Sequence, residues 1–87
     1  MNPTLKDNYW TPPFNKAQIE QIKGGYAKDL NVGIYAKPEF DWRQMQEIKF
    51  GLENGVNVSI YAKPEIDWKQ MQEIRMKLET KLIWYLL

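Results

Sequence analysis

The sequence has no cysteine and no histidine among its 87 residues. Without cysteine, neither disulfides nor thiolate metal ligands can reinforce the fold, so stability has to come from packing. That accords with a reducing interior, and a cytoplasmic location is the expectation. Without histidine, the usual general base near neutral pH and the commonest metal ligand are both missing. A dominant charge is lacking too. Twelve basic residues against eleven acidic ones leave a formal charge of +1, far from the concentrated positive footprint of a dedicated nucleic-acid binder. The longest apolar run, LIWYLL at Leu82 to Leu87, is well short of the roughly 20 residues needed to span a bilayer as a helix. The amino-terminal MNPTLKDNYWTPPF has no basic region followed by an apolar run, so a signal peptide is not expected.

Against these absences stands an internal repeat. Leu30 to Gly55 (LNVGIYAKPEFDWRQMQEIKFGLENG) lies on Val56 to Lys81 (VNVSIYAKPEIDWKQMQEIRMKLETK) without a gap, and about two thirds of the 26 positions are identical. Shifting back by the same period brings a more divergent first copy into register. Tyr9 falls on Tyr35, Pro12 on Pro38, Phe14 on Phe40, Gln18 on Gln44 and Ile22 on Ile48. The expected organisation is one domain over residues 1–87, with units at 4–29, 30–55 and 56–81 and a terminal segment at 82–87. A chain so filled leaves no room for a separate catalytic domain.

Each unit reads as a long helix and a short one. Asp41 is an N-cap candidate, and Gln44 three residues on is its reciprocal partner in a capping box. Asn15 with Gln18, and Asp67 with Gln70, repeat the arrangement, and Phe40 with Met45 supplies the flanking hydrophobic staple. Met45, Ile48 and Leu52 share one helix face, as do Met71, Ile74 and Leu78, and these stripes are the predicted core. Asn54-Gly55 offers a residue free to take positive φ at the helix end. Asn57 then caps a short segment, Val58 to Ala62, and Asn31 does the same for its counterpart, with Pro64 and Pro38 ending each. The alternation of Val56, Val58 and Ile60 with polar neighbours also suits a half-buried strand, which leaves a βα solenoid as the rival architecture. In the third unit Thr80-Lys81 replaces Asn-Gly, so the spacing of Trp68, Met71, Ile74, Leu78, Leu82 and Tyr85 predicts one long helix from about Trp68 to near the terminus. The fold expected is all-α: three tandem long-helix/short-helix repeats stacked as a small α-solenoid-like bundle, with the long C-terminal helix as its cap.

The string YAKPEFDWRQMQEIKFGLENGVNVSIYAKPE resembles the short tandem repeats, Y-A-x-P-E-F-D-x-x-Q-M-x-E-I-R-x-G-L-x-x-G-x-D-V, of uncharacterised bacterial proteins, some carried by mobile elements. The resemblance covers all three units, closely in the second and third. It implies helical hairpin units and an accessory or interaction role, such as an inhibitor or adaptor, and implies no reaction. Asn31 and Asn57 stand where that pattern has aspartate.

Trp42 and Trp68 open successive long helices and should recur on one side of the stack, with Tyr35 and Tyr61 nearby. They read either as inter-repeat packing or as an aromatic binding strip, since such residues anchor interfaces. Together with Arg43 and Lys69 they are the candidate partner-binding residues. The basic series Arg43, Lys49, Lys69 and Arg75, interleaved with Gln44, Gln46, Gln70 and Gln72, also suggests a small helix-turn-helix-like DNA regulator. Against that stand Glu39, Glu47, Glu53, Glu65, Glu73 and Glu79 on the same elements, with Lys49–Glu53 and Arg75–Glu79 spaced as solvated helix pairs. Asp41 and Asp67 are explained as caps and the glutamates as surface charge, so no catalytic carboxylate pair is assigned. Gly24-Gly25 lacks the Lys-Ser/Thr of a phosphate loop and should instead weaken the first helix by about 1 kcal/mol per glycine. Residues 82–87 read as a buried terminal cap, with a self-association patch or a membrane-surface anchor as the alternatives if they are uncovered. The expectation is thus a non-catalytic protein-interaction module, with no cofactor, metal or small-molecule substrate assigned and another protein as partner.

Overall fold

The computed structural model describes residues 13–86, with side chains described through Lys81. Among these the chain is all-helical, with no strand. Helix α1 runs Lys16–Ala27, α2 Trp42–Glu53 and α3 Trp68–Leu86, and single 3-10 turns at Val32–Ile34 and Val58–Ile60 lie in the connections. The expected contributions of Tyr9 and Pro12, of the Leu82 and Tyr85 side chains and of the terminal cap lie outside the described residues.

The helix starts follow from local hydrogen bonding. Asn15 Oδ1 accepts from the Gln18 amide at 2.8 Å while Gln18 Oε1 accepts from the Asn15 amide at 2.8 Å, so two donors left over at the helix start are satisfied reciprocally. Asp41 and Gln44 do the same at 2.8 and 2.9 Å, and Asp67 caps the Gln70 amide at 2.9 Å. Helix α2 ends through Gly55 at φ 74°, with the Val56 amide donating back to Gly51 O at 3.0 Å. The same closure ends α1, where the Leu30 amide donates to Gly25 O at 2.9 Å. There the left-handed position is held by Asp29 at φ 58°, one of the few non-glycine residue types that tolerate it.

The strand alternative is not realised in the connections, and the predicted short helices are reduced to single turns. Val58–Ile60 forms one 3-10 turn, followed by a bond from the Ala62 amide to Val58 O at 2.8 Å, and Ala36 bonds Val32 O likewise at 2.8 Å. Residues three apart eclipse in a 3-10 helix, which puts Val32 above Tyr35, and Val58 above Tyr61, all four buried. Asn57 Oδ1 accepts from the Ser59 amide at 3.3 Å and from Ser59 Oγ at 2.7 Å. Asn31 makes no such cap, which corrects the expectation for that position. Its counterpart of Ser59 is Gly33, which has no hydroxyl to hold the asparagine in place.

Helix α2 packs on α1 and on α3. The core is one cluster: Phe14, Ile22, Val32, Tyr35, Phe40, Met45, Ile48, Val56, Val58, Tyr61 and Met71, with Leu52, Ile66, Ile74 and Leu78 partly buried against it. The predicted stripes are therefore the packed faces. Between α1 and the segment that follows it, Gln18 Nε2 donates to Phe40 O at 2.6 Å, and Tyr35 Oη donates to Gln21 O at 2.7 Å. Between α2 and its following segment, Gln44 Nε2 donates to Ile66 O at 2.7 Å, and Tyr61 Oη to Glu47 O at 2.7 Å. Every partner in the second set stands 26 residues beyond its counterpart in the first.

Each tyrosine hydroxyl reaches a helix backbone because a glycine lies beneath it. A methyl group on Gly25 would overlap the Tyr35 hydroxyl and sit 2.5 Å from Val32 Cγ1. One on Gly51 would overlap the Tyr61 hydroxyl and sit 2.6 Å from Val58 Cγ1. Gly25 is thus a docking position rather than only a weak point in α1, which corrects the sequence-based reading of the glycine pair.

Candidate interaction surface

Trp42 and Trp68 are the first residues of α2 and α3. Because those helices are neighbours, their starts form one ledge. Both indoles are half-buried, while Arg43 and Lys69 are exposed beside them. The Arg43 guanidinium lies 5.1 Å from the centre of the Trp42 ring and 5.3 Å from that of Trp68. Lys69 Nζ stands 5.8 Å from the Trp68 ring. All three separations are within the range in which a cation is attracted to an aromatic face. Arg43 thereby ties the two tryptophans together. Neither Arg43 nor Lys69 has a hydrogen bond or ion pair to any described residue. Asp41 and Asp67, which precede the ledge, have their carboxylates engaged as helix caps.

The other two predicted members do not join this ledge. Tyr35 and Tyr61 are both 0% exposed, and their hydroxyls are spent on backbone carbonyls of α1 and α2. Burial raises both phenol pKa values well above the ordinary one; Glu53 adds to this at Tyr35, and at Tyr61 the lowering by Arg75 only partly offsets it. They hold elements together and offer no surface.

Arg75 also departs from expectation. It was read with Glu79 as a solvated pair, yet its side chain is only 13% exposed. Arg75 Nε meets Glu47 Oε1 at 2.9 Å and Nη1 meets Glu79 Oε2 at 2.7 Å, while its guanidinium stands 5.3 Å from the Phe50 ring. Asn54 Nδ2 completes the cluster with a 2.7 Å bond to Glu79. Glu47, expected on the surface, is buried. Burial works against the Arg75 charge, but its bonds to two carboxylates outweigh that and raise its pKa. Gln44 and Gln18 are further residues whose importance the sequence revealed only by half: the capping role was legible, the second bond to the next segment was not. Glu47 and Arg75, 28 residues apart, match no local motif at all.

Of the basic series that suggested a DNA-contacting face, one member is taken up by ion pairs within the chain. Arg75 is committed to Glu47 and Glu79, and Lys49 Nζ lies 5.5 Å from the Phe50 ring. Arg43 and Lys69 remain on the ledge. A shallow hollow lined by Met76, Lys77, Thr80 and Lys81 lies on α3. Among the described residues no group of three or more His, Cys, Asp or Glu side chains could hold a metal ion, and no helix is long and apolar enough to cross a membrane. Comparison with family models, with curated proteins and with solved structures returns no match.

Proposed function

We propose that this chain is a non-catalytic protein-interaction module, built of three tandem 26-residue units stacked as a small α-solenoid-like array, that docks onto a partner protein through Trp42, Arg43, Trp68 and Lys69. The array reading is supported by the glutamine, tyrosine and glycine contacts that recur at a 26-residue offset. Such arrays use their repeated surface for binding. The resemblance to repeats carried on mobile elements motivates the further reading as an inhibitor or adaptor working in the bacterial cytoplasm.

The observation that carries the docking reading is the bridging of two indoles by one exposed guanidinium that has no hydrogen bond or ion pair to another described residue. Tryptophan and arginine are the residue types most enriched among those that dominate binding energy. The placement of the cations also runs against helix stability. No acidic residue occupies the first turn of any of the three helices, while Lys16, Arg43 and Lys69 put positive charge at helix starts, where the macrodipole disfavours it by about 0.3–1 kcal/mol. Arg43 and Lys69 are held there by ring contacts and by no ion pair to a described residue.

The test is affinity capture from the native host with the full chain and with a Trp42→Ala/Trp68→Ala variant whose helical content is checked by circular dichroism. A protein retained by the first and lost by the folded variant is the expected result. Retention by both, or capture of nucleic acid with steep salt dependence, would reject docking through this ledge.

A further inference from the structure

Resting on that reading, we infer that Arg43 is the receptor for a single carboxylate side chain of the partner protein, with Trp42 and Trp68 supplying the apolar contact beside it. The chain has two arginines, and they differ in what their donors do. Arg75 spends its donors on Glu47 and Glu79 at 2.9 and 2.7 Å. Arg43 spends none on any described residue: its contacts there are the two indole rings, at 5.1 and 5.3 Å. A guanidinium carries five N–H donors in its plane, and no described residue takes one of those of Arg43. A planar fork of that kind matches a carboxylate through two parallel hydrogen bonds. Contact with two rings also restricts the long side chain before binding, which lowers the ordering cost that an ordinary surface arginine meets on association.

Phosphate has the same affinity for a guanidinium fork, so the surroundings must decide between a protein acid and a nucleic-acid backbone. Glu39 and Glu65 are exposed in the segments leading into the ledge, and Asp41 and Asp67 directly precede its residues. The formal charge of the chain is only +1. Lys37 and Lys63 are exposed in the same two segments, so the rim sets four carboxylates against four cations and offers a polyanion no net positive charge, whereas one carboxylate flanked by apolar side chains needs only Arg43 and the indoles. Lys69, 5.8 Å from the Trp68 ring, adds positive potential from the far side without offering a planar fork.

The experiment is a nuclear magnetic resonance titration of the labelled full-length chain, following the indole N–H signals of Trp42 and Trp68 and the Nε–H signal of Arg43. The probes are the capped tripeptide Leu-Glu-Leu, its Leu-Gln-Leu counterpart and a twelve-residue oligodeoxythymidine. The expected result is that the glutamate peptide shifts all three signals and binds about tenfold more tightly than the glutamine peptide, the ratio for one charge-assisted bond pair exchanged for a neutral one. Arg43→Gln should abolish that preference, and Arg43→Lys should retain only part of it, because charge remains while the fork is lost. Equal response to the two peptides overturns the inference, as does tighter binding of the oligonucleotide than of the glutamate peptide. The capture experiment with Trp42→Ala/Trp68→Ala is independent of this outcome: a partner still lost on that substitution, with no carboxylate preference at Arg43, would leave protein docking standing and remove only the chemistry assigned to it.

Discussion

Glycine at positions 24, 25 and 51 shows how little a residue type says without its surroundings. All three lie within helices, where glycine costs about 1 kcal/mol relative to alanine. At Gly51 an added methyl would also meet Val56 Cγ2 at 3.0 Å, besides the Tyr61 hydroxyl and Val58. At Gly24 the nearest atom is Lys49 Nζ at 3.2 Å, the free end of a flexible side chain that can move aside. Gly25→Ala and Gly51→Ala should therefore each destabilise the fold by about 1–3 kcal/mol through overpacking. Gly24→Ala should stabilise it by up to about 1 kcal/mol. Midpoints of urea unfolding check both signs, and a Gly51→Ala midpoint equal to that of the unsubstituted chain would contradict the close approach of Tyr61. The buried tyrosines make a separate prediction at this scale. Their folded pKa values are raised above the ordinary 10.0, so folding binds the neutral phenol in preference to phenolate. Their contribution is fully present below about pH 10 and is lost as pH rises above it. Stability measured between pH 8 and 11 should fall only at the alkaline end, and the fall should diminish in a Tyr35→Phe/Tyr61→Phe variant.

At the scale of the element, the two helix-to-helix joints use the same backbone bonds and differ in their charges. In the joint between α2 and α3, Glu47 and Arg75 form a buried pair at 2.9 Å. The corresponding residues between α1 and α2, 26 positions earlier, are Gln21 and Lys49, and Gln21 Oε1 is buried without a hydrogen-bond partner. The second joint therefore has its polar groups satisfied where the first leaves one orphaned, a shortfall worth about 1–3 kcal/mol. Removing one partner of a buried pair leaves an uncompensated charge, so Arg75→Ala should cost about 3–5 kcal/mol in thermal or urea unfolding. The double change Glu47→Gln/Arg75→Lys, which copies the first joint, removes the buried carboxylate as well. Its cost should be smaller than that of Arg75→Ala alone, and a larger cost would show that the pair is not what holds this joint.

Across the molecule, among the described residues, α2 packs against both α1 and α3, whereas the main helix partner of each of those is α2. Local opening follows the density of buried contacts. Native-state hydrogen exchange should therefore find the amides of Met45 to Gly51 the slowest and those of α1 faster, given its orphaned Gln21; uniform protection across the three helices would contradict the weaker first joint. The far face of α3 also differs from those of α1 and α2. Lys77 stands 26 residues beyond Gly51, so a side chain occupies the place where the other two helices admit a tyrosine hydroxyl. Ile74 is accordingly only half-buried, whereas Ile22 and Ile48 are both 0% exposed.

The sequence by itself determined the helix starts, the turn at Gly55, the apolar stripes and the long last helix, because each depends on residues within one or two turns of one another. The same locality made Trp42, Arg43, Trp68 and Lys69 legible as residues that open successive helices. Only the tertiary structure decided that Arg43 reaches two indoles, that Tyr35 and Tyr61 belong to the core, and that Glu47 and Arg75 meet across α2 and α3. Those outcomes depend on how closely one helix approaches the next, and that distance is set by side chains more than 20 residues apart, such as Gln44 on Ile66. Periodicity within a single helix carries no record of it.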